Sequence, residues 1–304
     1  MTDTKTIKTI CQRVAQSTNR RCLRCTGGPT LEYCWQHTAP QHPLAPVRNR
    51  RAGKQRIKNA AVPDCIHKAI RPLIIQDVVG GGAQGIIYAV CADPEDDACN
   101  GFIIKITNKP DSEEGEFAQE ASQLGVGPVV IESGNCGGNS YFISQRLLGP
   151  TLTQTYPYTN VDLGKILDLY YLLLTKGKIA QRDLKADNII FDDEKRSRVF
   201  IIDYGIAKSI DYDTKQIRQH MEQQGRLLVN SMTTKDHELS VDSKWSDETD
   251  RKFATAVLVT VVDQVNRWLS AKFGAESVVK FSWNASQIDP TLPSWQILQA
   301  KYDR

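Results

Sequence analysis

The sequence predicts an α+β fold: a small antiparallel β-rich segment with one helix, then a mostly helical segment, both behind a short Cys/His-containing N-terminus. Three observations carry this expectation. Between Leu73 and Gln145 the apolar residues come in short runs broken by glycine, proline and acidic clusters, the pattern of strands. Beyond Gly149 they recur at helical spacing, over Val161 to Thr175 and again from Ile210 onward. Before Pro63 neither period is present.

At 304 residues, with 40% hydrophobic and 24% charged residues, the chain is long enough to bury a sizeable core without disulfides. The net charge of +3 does not by itself call for a nucleic-acid partner. The first ten residues are polar and charged, so no secretory signal is expected. The longest apolar run, Phe253 to Val262, is too short to span a bilayer and reads as a buried helix. No membrane partner and an intracellular location are therefore expected. The eight cysteines then read as reduced thiols or metal ligands, with Cys65, Cys91, Cys99 and Cys136 as scattered thiols.

Taken in order, Cys11, Cys22, Cys25, Cys34 and His37 crowd into the N-terminus. Cys11, Cys22, Cys34 and His37 fit a Cys₃His zinc site, in which Cys34-Trp35-Gln36-His37 places two ligands three residues apart. Cys25 competes with Cys22 for the second position. So short a segment has little core, and zinc would supply its folding free energy. From Thr38 to Val62, Pro40, Pro43 and Pro46 precede Arg48, Arg50, Arg51, Lys54, Arg56 and Lys58 with no acid among them, which reads as a linker. The same basic stretch, with the zinc element, is the one place suited to a nucleic-acid partner.

The globular pattern begins near Pro63. Leu73-Ile74-Ile75, Val78-Val79 and Ile86 to Cys91 flank a glycine cluster, as strand, tight turn and strand. Phe102 to Ile106 is a further strand. Asp111-Ser112 caps an acidic helix running to about Leu124, whose Phe117, Ala121 and Leu124 share one face. Strands follow at Val129 to Ile131 and Tyr141 to Gln145. The helix over Val161 to Thr175 is apolar enough to be largely buried, and Gly177 stops it. Ile189 to Phe191 and Val199 to Ile202 are short strands joined by a charged turn.

Four features with chemical potential occur in this frame. Gly80-Gly81-Gly82-Ala83-Gln84-Gly85 lies between two strands, where glycines let backbone N–H groups approach phosphate oxygens. Lys105 sits within an apolar strand and needs an anionic partner or a path to water. Gln181-Arg182-Asp183-Leu184-Lys185-Ala186-Asp187-Asn188 gathers a carboxylate, a cation and an amide, the groups needed to orient a hydroxyl, neutralise a phosphate and ligate a hard cation. Asp203-Tyr204-Gly205 places another carboxylate at a strand end.

From Leu73 to Lys208 this order resembles the eukaryotic-like protein kinase superfamily. Gly80, Gly82, Gly85 and Ile87 match its glycine-rich loop, and Lys105 its V-A-I-K lysine. Asp183, Lys185 and Asn188 match H-R-D-L-K-x-x-N, and Asp203 and Gly205 match D-F-G. The resemblance implies a bilobal fold at 63–304, with an N-lobe at about 63–147 and a C-lobe at about 148–304, after the zinc element (1–38) and linker (39–62). It implies transfer of the γ-phosphoryl of ATP to a protein substrate. Asp183 would orient the substrate hydroxyl and Lys185 would stabilise the transferring phosphoryl. Asn188 and Asp203 would hold Mg²⁺, and Lys105 would grip the α- and β-phosphates. The family's helix glutamate is best matched by Glu114, which shares the apolar face, with Glu120 next. Lys185 points to serine/threonine substrates.

The departures are specific. Gln181 replaces the family histidine, which leaves the loop expected to be less well braced, and no Ala-Pro-Glu follows Asp203. In this the chain resembles minimal kinases of RIO type, of bacterial effectors or of large DNA viruses. The stretch Phe117 to Val130 is similar to that of viral and effector kinases, which implies a viral source and a host-cell or virion location. The competing expectation is a pseudokinase that binds nucleotide or a partner without efficient catalysis.

Overall fold

The computed structural model describes residues 62–82, 84–91, 99, 101–155, 158, 161–193, 195–233, 248–279 and 291–302. Cys11, Cys22, Cys25, Cys34, His37 and nearly all of the basic linker lie outside them. The described chain is mixed α+β and divides into two compact units, its residues up to 111 with 131–146, and 112–130 with its residues from 147 onward.

In the first unit a short helix, α1 (Asp64–Ala69), precedes β1 (Ile74–Gly82), β2 (Gly85–Cys91) and β3 (Phe102–Thr107). The chain returns later as β4 (Val130–Cys136) and β5 (Asn139–Gln145), completing a five-stranded sheet in the order β1-β2-β3-β5-β4. The pairs β1–β2, β2–β3 and β3–β5 are antiparallel. Alternation decides the face: Tyr88, Val90, Ile104, Ile106, Tyr141 and Ile143 turn to one side and close over Ile66 and Ile70 of α1. Expected strands and observed strands agree to within a few residues. Helix α1, only six residues long, has too little sequence to show a period.

The cysteines of this unit are not scattered thiols. Cys65 of α1 is joined to Cys136 at the end of β4, and Cys91 at the end of β2 to Cys99. The first pair spans 71 residues and the second 8, so no local spacing reveals the first pairing. Sheet formation alone brings the end of β4 to α1. Disulfides are unusual in reducing compartments, so this pairing corrects the expectation of reduced thiols.

The second unit contains α2 (Glu114–Gln123), α3 (Leu163–Thr175), α4 (Thr214–Thr233), α5 (Glu248–Phe273) and α6 (Pro293–Tyr302). Two antiparallel two-stranded ribbons accompany them: β6 (Ile179–Ala180) with β9 (Lys208–Ser209), and β7 (Ile189–Phe191) with β8 (Val199–Ile201). Helix α2 starts later than expected. Glu113 is its cap residue without a side-chain cap bond, and Ser112 Oγ accepts the Glu114 N–H at 3.4 Å. Asp162 caps α3 by accepting from the Lys165 N–H at 3.3 Å. Leu163, Ile166, Leu167, Tyr170, Leu173 and Leu174 of α3 are all buried. Helix α5 packs against α3, α4 and α6. The run expected as a buried helix falls inside α5, with Val261 and Val262 in the core. Among the described residues, no helix is long and apolar enough to cross a membrane.

Candidate functional site

The chain between β6 and β7 is a loop held largely by side chains, with two backbone bonds of its own, from the Lys185 N–H to the Asp183 carbonyl and from the Asn188 N–H to the Lys185 carbonyl. The Arg182 N–H donates to Tyr170 Oη of α3 at 3.2 Å, and the Asp183 N–H to Gln181 Oε1 at 2.9 Å. From α4, Gln224 Oε1 accepts the Leu184 N–H at 3.0 Å and Ser231 Oγ the Ala186 N–H at 2.8 Å. A loop without a ladder must satisfy its buried N–H groups elsewhere, and two helices do so here. Sequence reasoning missed Gln224 and Ser231. Their signal was present: Ile217, Met221, Gln224, Leu228 and Ser231 follow one helical face, so two polar residues occupy core-facing positions.

This scaffold gathers Asp183, Lys185 and Asn188. Lys185 Nζ donates to Asp183 Oδ2 at 2.7 Å, and Asn188 Nδ2 donates to the same oxygen at 2.8 Å and to the Asp183 carbonyl at 3.0 Å. Asn188 is buried, on the short 3-10 turn Ala186–Asn188, while the Lys185 and Asp183 side chains retain 39% and 24% exposure. The carboxylate is therefore oriented yet reachable. Asp187, in the same turn, is tied elsewhere, accepting from Thr153 Oγ1 at 2.6 Å.

Asp203 follows β8 with φ 63°, a left-handed backbone that a non-glycine residue adopts only when its surroundings hold it. Part of that hold is Gln181 Nε2, which donates to the Asp203 carbonyl at 2.9 Å and to the Ile202 carbonyl at 3.1 Å. The Ile202 N–H donates to the Asn188 carbonyl at 2.9 Å. The expectation of a weakly braced loop at Gln181 is thus corrected. Tyr204 is buried, and its hydroxyl donates to the Ile201 carbonyl at 3.0 Å, so the phenol leaves no polar atom stranded. Burial raises its pKa.

The donors Asn188 and Asp203 suit a hard divalent cation, which takes oxygen ligands. Asn188 commits its nitrogen to Asp183, leaving Oδ1 as the atom of the right type. Among the described residues there is no cluster of three or more His, Cys, Asp or Glu that would form a self-sufficient metal cage. A magnesium ion bound by few protein oxygens and a substrate phosphate needs no such cage.

Beneath the loop, Tyr170 Oη lies 2.9 Å from His220 Nε2, and Tyr212 packs 5.6 Å from the His220 ring. Burial, with the Arg182 charge, lowers the His220 pKa to about 4. The neutral ring can accept the phenol proton, and burial raises the Tyr170 pKa. Arg182 itself has φ 72°, and its guanidinium donates to the Ile206 carbonyl at 3.5 Å.

In the first unit, the glycine hairpin pairs Gly82 with Gly85. A Cβ on Gly85 would run into the Ile106 carbonyl oxygen, so that glycine is required by the fold. A Cβ on Gly80 would meet only the Ile87 side chain, at 3.6 Å, and one on Gly82 nothing within 4 Å. Lys105 is central in β3, opposite Ile87 and Phe142, and 8% exposed. In the second unit, Glu114 opens α2 and is 3% exposed, whereas Glu113, Glu116 and Glu120 face solvent. The inward face of this helix was legible from Phe117 and Ala121.

The zinc ligand set Cys11, Cys22, Cys34 and His37, with Cys25 as its alternative, falls outside the described residues. No family model and no curated protein matches the chain.

Proposed function

We propose that this chain is an ATP-dependent serine/threonine protein kinase with a bilobal fold. The observation that carries the reading is the Asp183 carboxylate, oriented by Lys185 at 2.7 Å and Asn188 at 2.8 Å, in a loop tied through Gln181 to Asp203. In this reading Asp183 orients the substrate hydroxyl and takes its proton. Lys185 neutralises charge on the transferring phosphoryl, so catalysis is positioning plus electrostatics. Asn188 Oδ1 and the Asp203 carboxylate are the magnesium ligands, and the ion supplies charge neutralisation to the phosphates. The glycine hairpin and Lys105 serve the nucleotide phosphates. The open space above Gly82 and the burial of a lysine in β3 support those roles. A protein hydroxyl as acceptor, a zinc-organised N-terminus that can contact nucleic acid, and a viral source belong to the same proposal and rest on sequence resemblance alone.

The test is phosphoryl transfer from radiolabelled ATP to casein by wild type and Asp183→Ala. Loss of a general base costs roughly 10²–10⁴-fold, so the variant should lose nearly all labelling. Equal labelling by the two proteins rules out catalysis by this site.

A further inference from the structure

Gln181 is fully buried, and both ends of its amide are used. Oε1 accepts from the Asp183 N–H at 2.9 Å. Nε2 faces three carbonyls: Asp203 at 2.9 Å, Ile202 at 3.1 Å and Asp183 at 3.3 Å. An N–H at one end and three acceptors at the other leave only one orientation of the amide that satisfies its neighbours. One side chain thus bonds the backbone of both residues that carry the site's carboxylates. The Ile202 N–H bond to the Asn188 carbonyl, at 2.9 Å, closes the same link from the other side.

We propose that Gln181 is a positioning residue that sets Asp183, Asn188 and Asp203 in one fixed arrangement, and that the site's hold on a divalent cation depends on it. The inference rests on the kinase reading for its purpose, while its geometry stands independently. A neutral imidazole offers one donor and one acceptor, so it can replace at most two of the contacts this amide makes. An apolar side chain of equal length replaces none and leaves buried carbonyls and an N–H without partners.

The experiment titrates Mn²⁺ in the presence of ADP, read by electron paramagnetic resonance, into full-length wild type, Gln181→His and Gln181→Met. Thermal melts run beside it, and the apolar variant Gln181→Leu stands in under the same criterion if the methionine variant does not fold. Groups that orient metal ligands typically contribute on the order of 10- to 100-fold in affinity, and Gln181→Met should lose that much Mn²⁺ affinity. Gln181→His should recover affinity toward wild type. A methionine variant that is less stable but binds Mn²⁺ within about two-fold of wild type, well short of that range, overturns the proposal and leaves Gln181 a packing residue. A histidine variant no better than methionine also overturns it. Wild type that takes up no Mn²⁺ defeats this inference and the kinase reading together. Wild type that binds Mn²⁺ yet does not label casein defeats the kinase reading alone.

Discussion

Asn188 and Asp183 are joined twice by one amide nitrogen, at 2.8 Å to the Asp183 carboxylate and 3.0 Å to its carbonyl. The carboxylate is thereby fixed to its own backbone, and Lys185 is added from a more exposed position. The two partners should therefore separate in mutagenesis. A partly exposed ion pair is worth about 0–1 kcal/mol, so Lys185→Ala should leave the urea midpoint nearly unchanged while labelling of casein collapses. Asn188→Ala removes a buried amide and should lower both. An equal stability loss in the two variants would contradict this division.

Gln224 holds the Leu184 N–H in a fully enclosed position. A buried donor left without its acceptor costs about 1–3 kcal/mol, so Gln224→Leu should destabilise by that amount in urea and also slow catalysis, although it touches no proposed substrate atom. Unchanged kcat in a folded Gln224→Leu protein would show that the loop does not need this support.

Acid stability should report His220. Its pKa is about 4 in the folded chain against 6.5 ordinarily. Between these values the unfolded chain binds a proton that the folded chain does not. Stability must then fall as pH drops from 6.5 toward 4, and this group contributes no pH dependence above 6.5. The ceiling is on the order of 3 kcal/mol. His220→Gln should flatten that part of the melting-temperature profile. An unaltered slope would place the acid sensitivity elsewhere.

The two cysteine pairs give a covalent prediction. Peptide mapping without reduction should return Cys65 linked to Cys136 and Cys91 linked to Cys99. A disulfide closing a long loop typically contributes 2–4 kcal/mol, so Cys65→Ser should cost roughly that much in urea, and dithiothreitol should erase the difference from wild type. Four free thiols at these positions in the native protein would refute the pairing.

Two glycines of one hairpin should behave differently. Gly85→Ala forces a methyl against the Ile106 carbonyl and should lower the melting temperature. Gly82→Ala meets nothing and should leave the fold alone. If the hairpin covers phosphate, however, Gly82→Ala should raise the KM for ATP. An unaffected KM would remove Gly82 from the binding surface.

The sequence alone was sufficient for features set by short-range physics. Short apolar runs bounded by turn signals marked β2, β3 and β5, helical period marked α3, and the apolar face of α2 singled out Glu114 as the inward acid. The loop from Gln181 to Asn188 was legible as a cluster of carboxylate, cation and amide because those groups are neighbours in the chain. The tertiary structure decided what depends on distant residues meeting. Gln224 and Ser231 clamp that loop from a helix some forty residues away, Gln181 ties it to Asp203, and Cys65 meets Cys136 across 71 residues. A lone polar side chain in a helix, or a lone cysteine, does not announce its partner. Burial turns each such group into an obligation to pair, and only the fold determines with what.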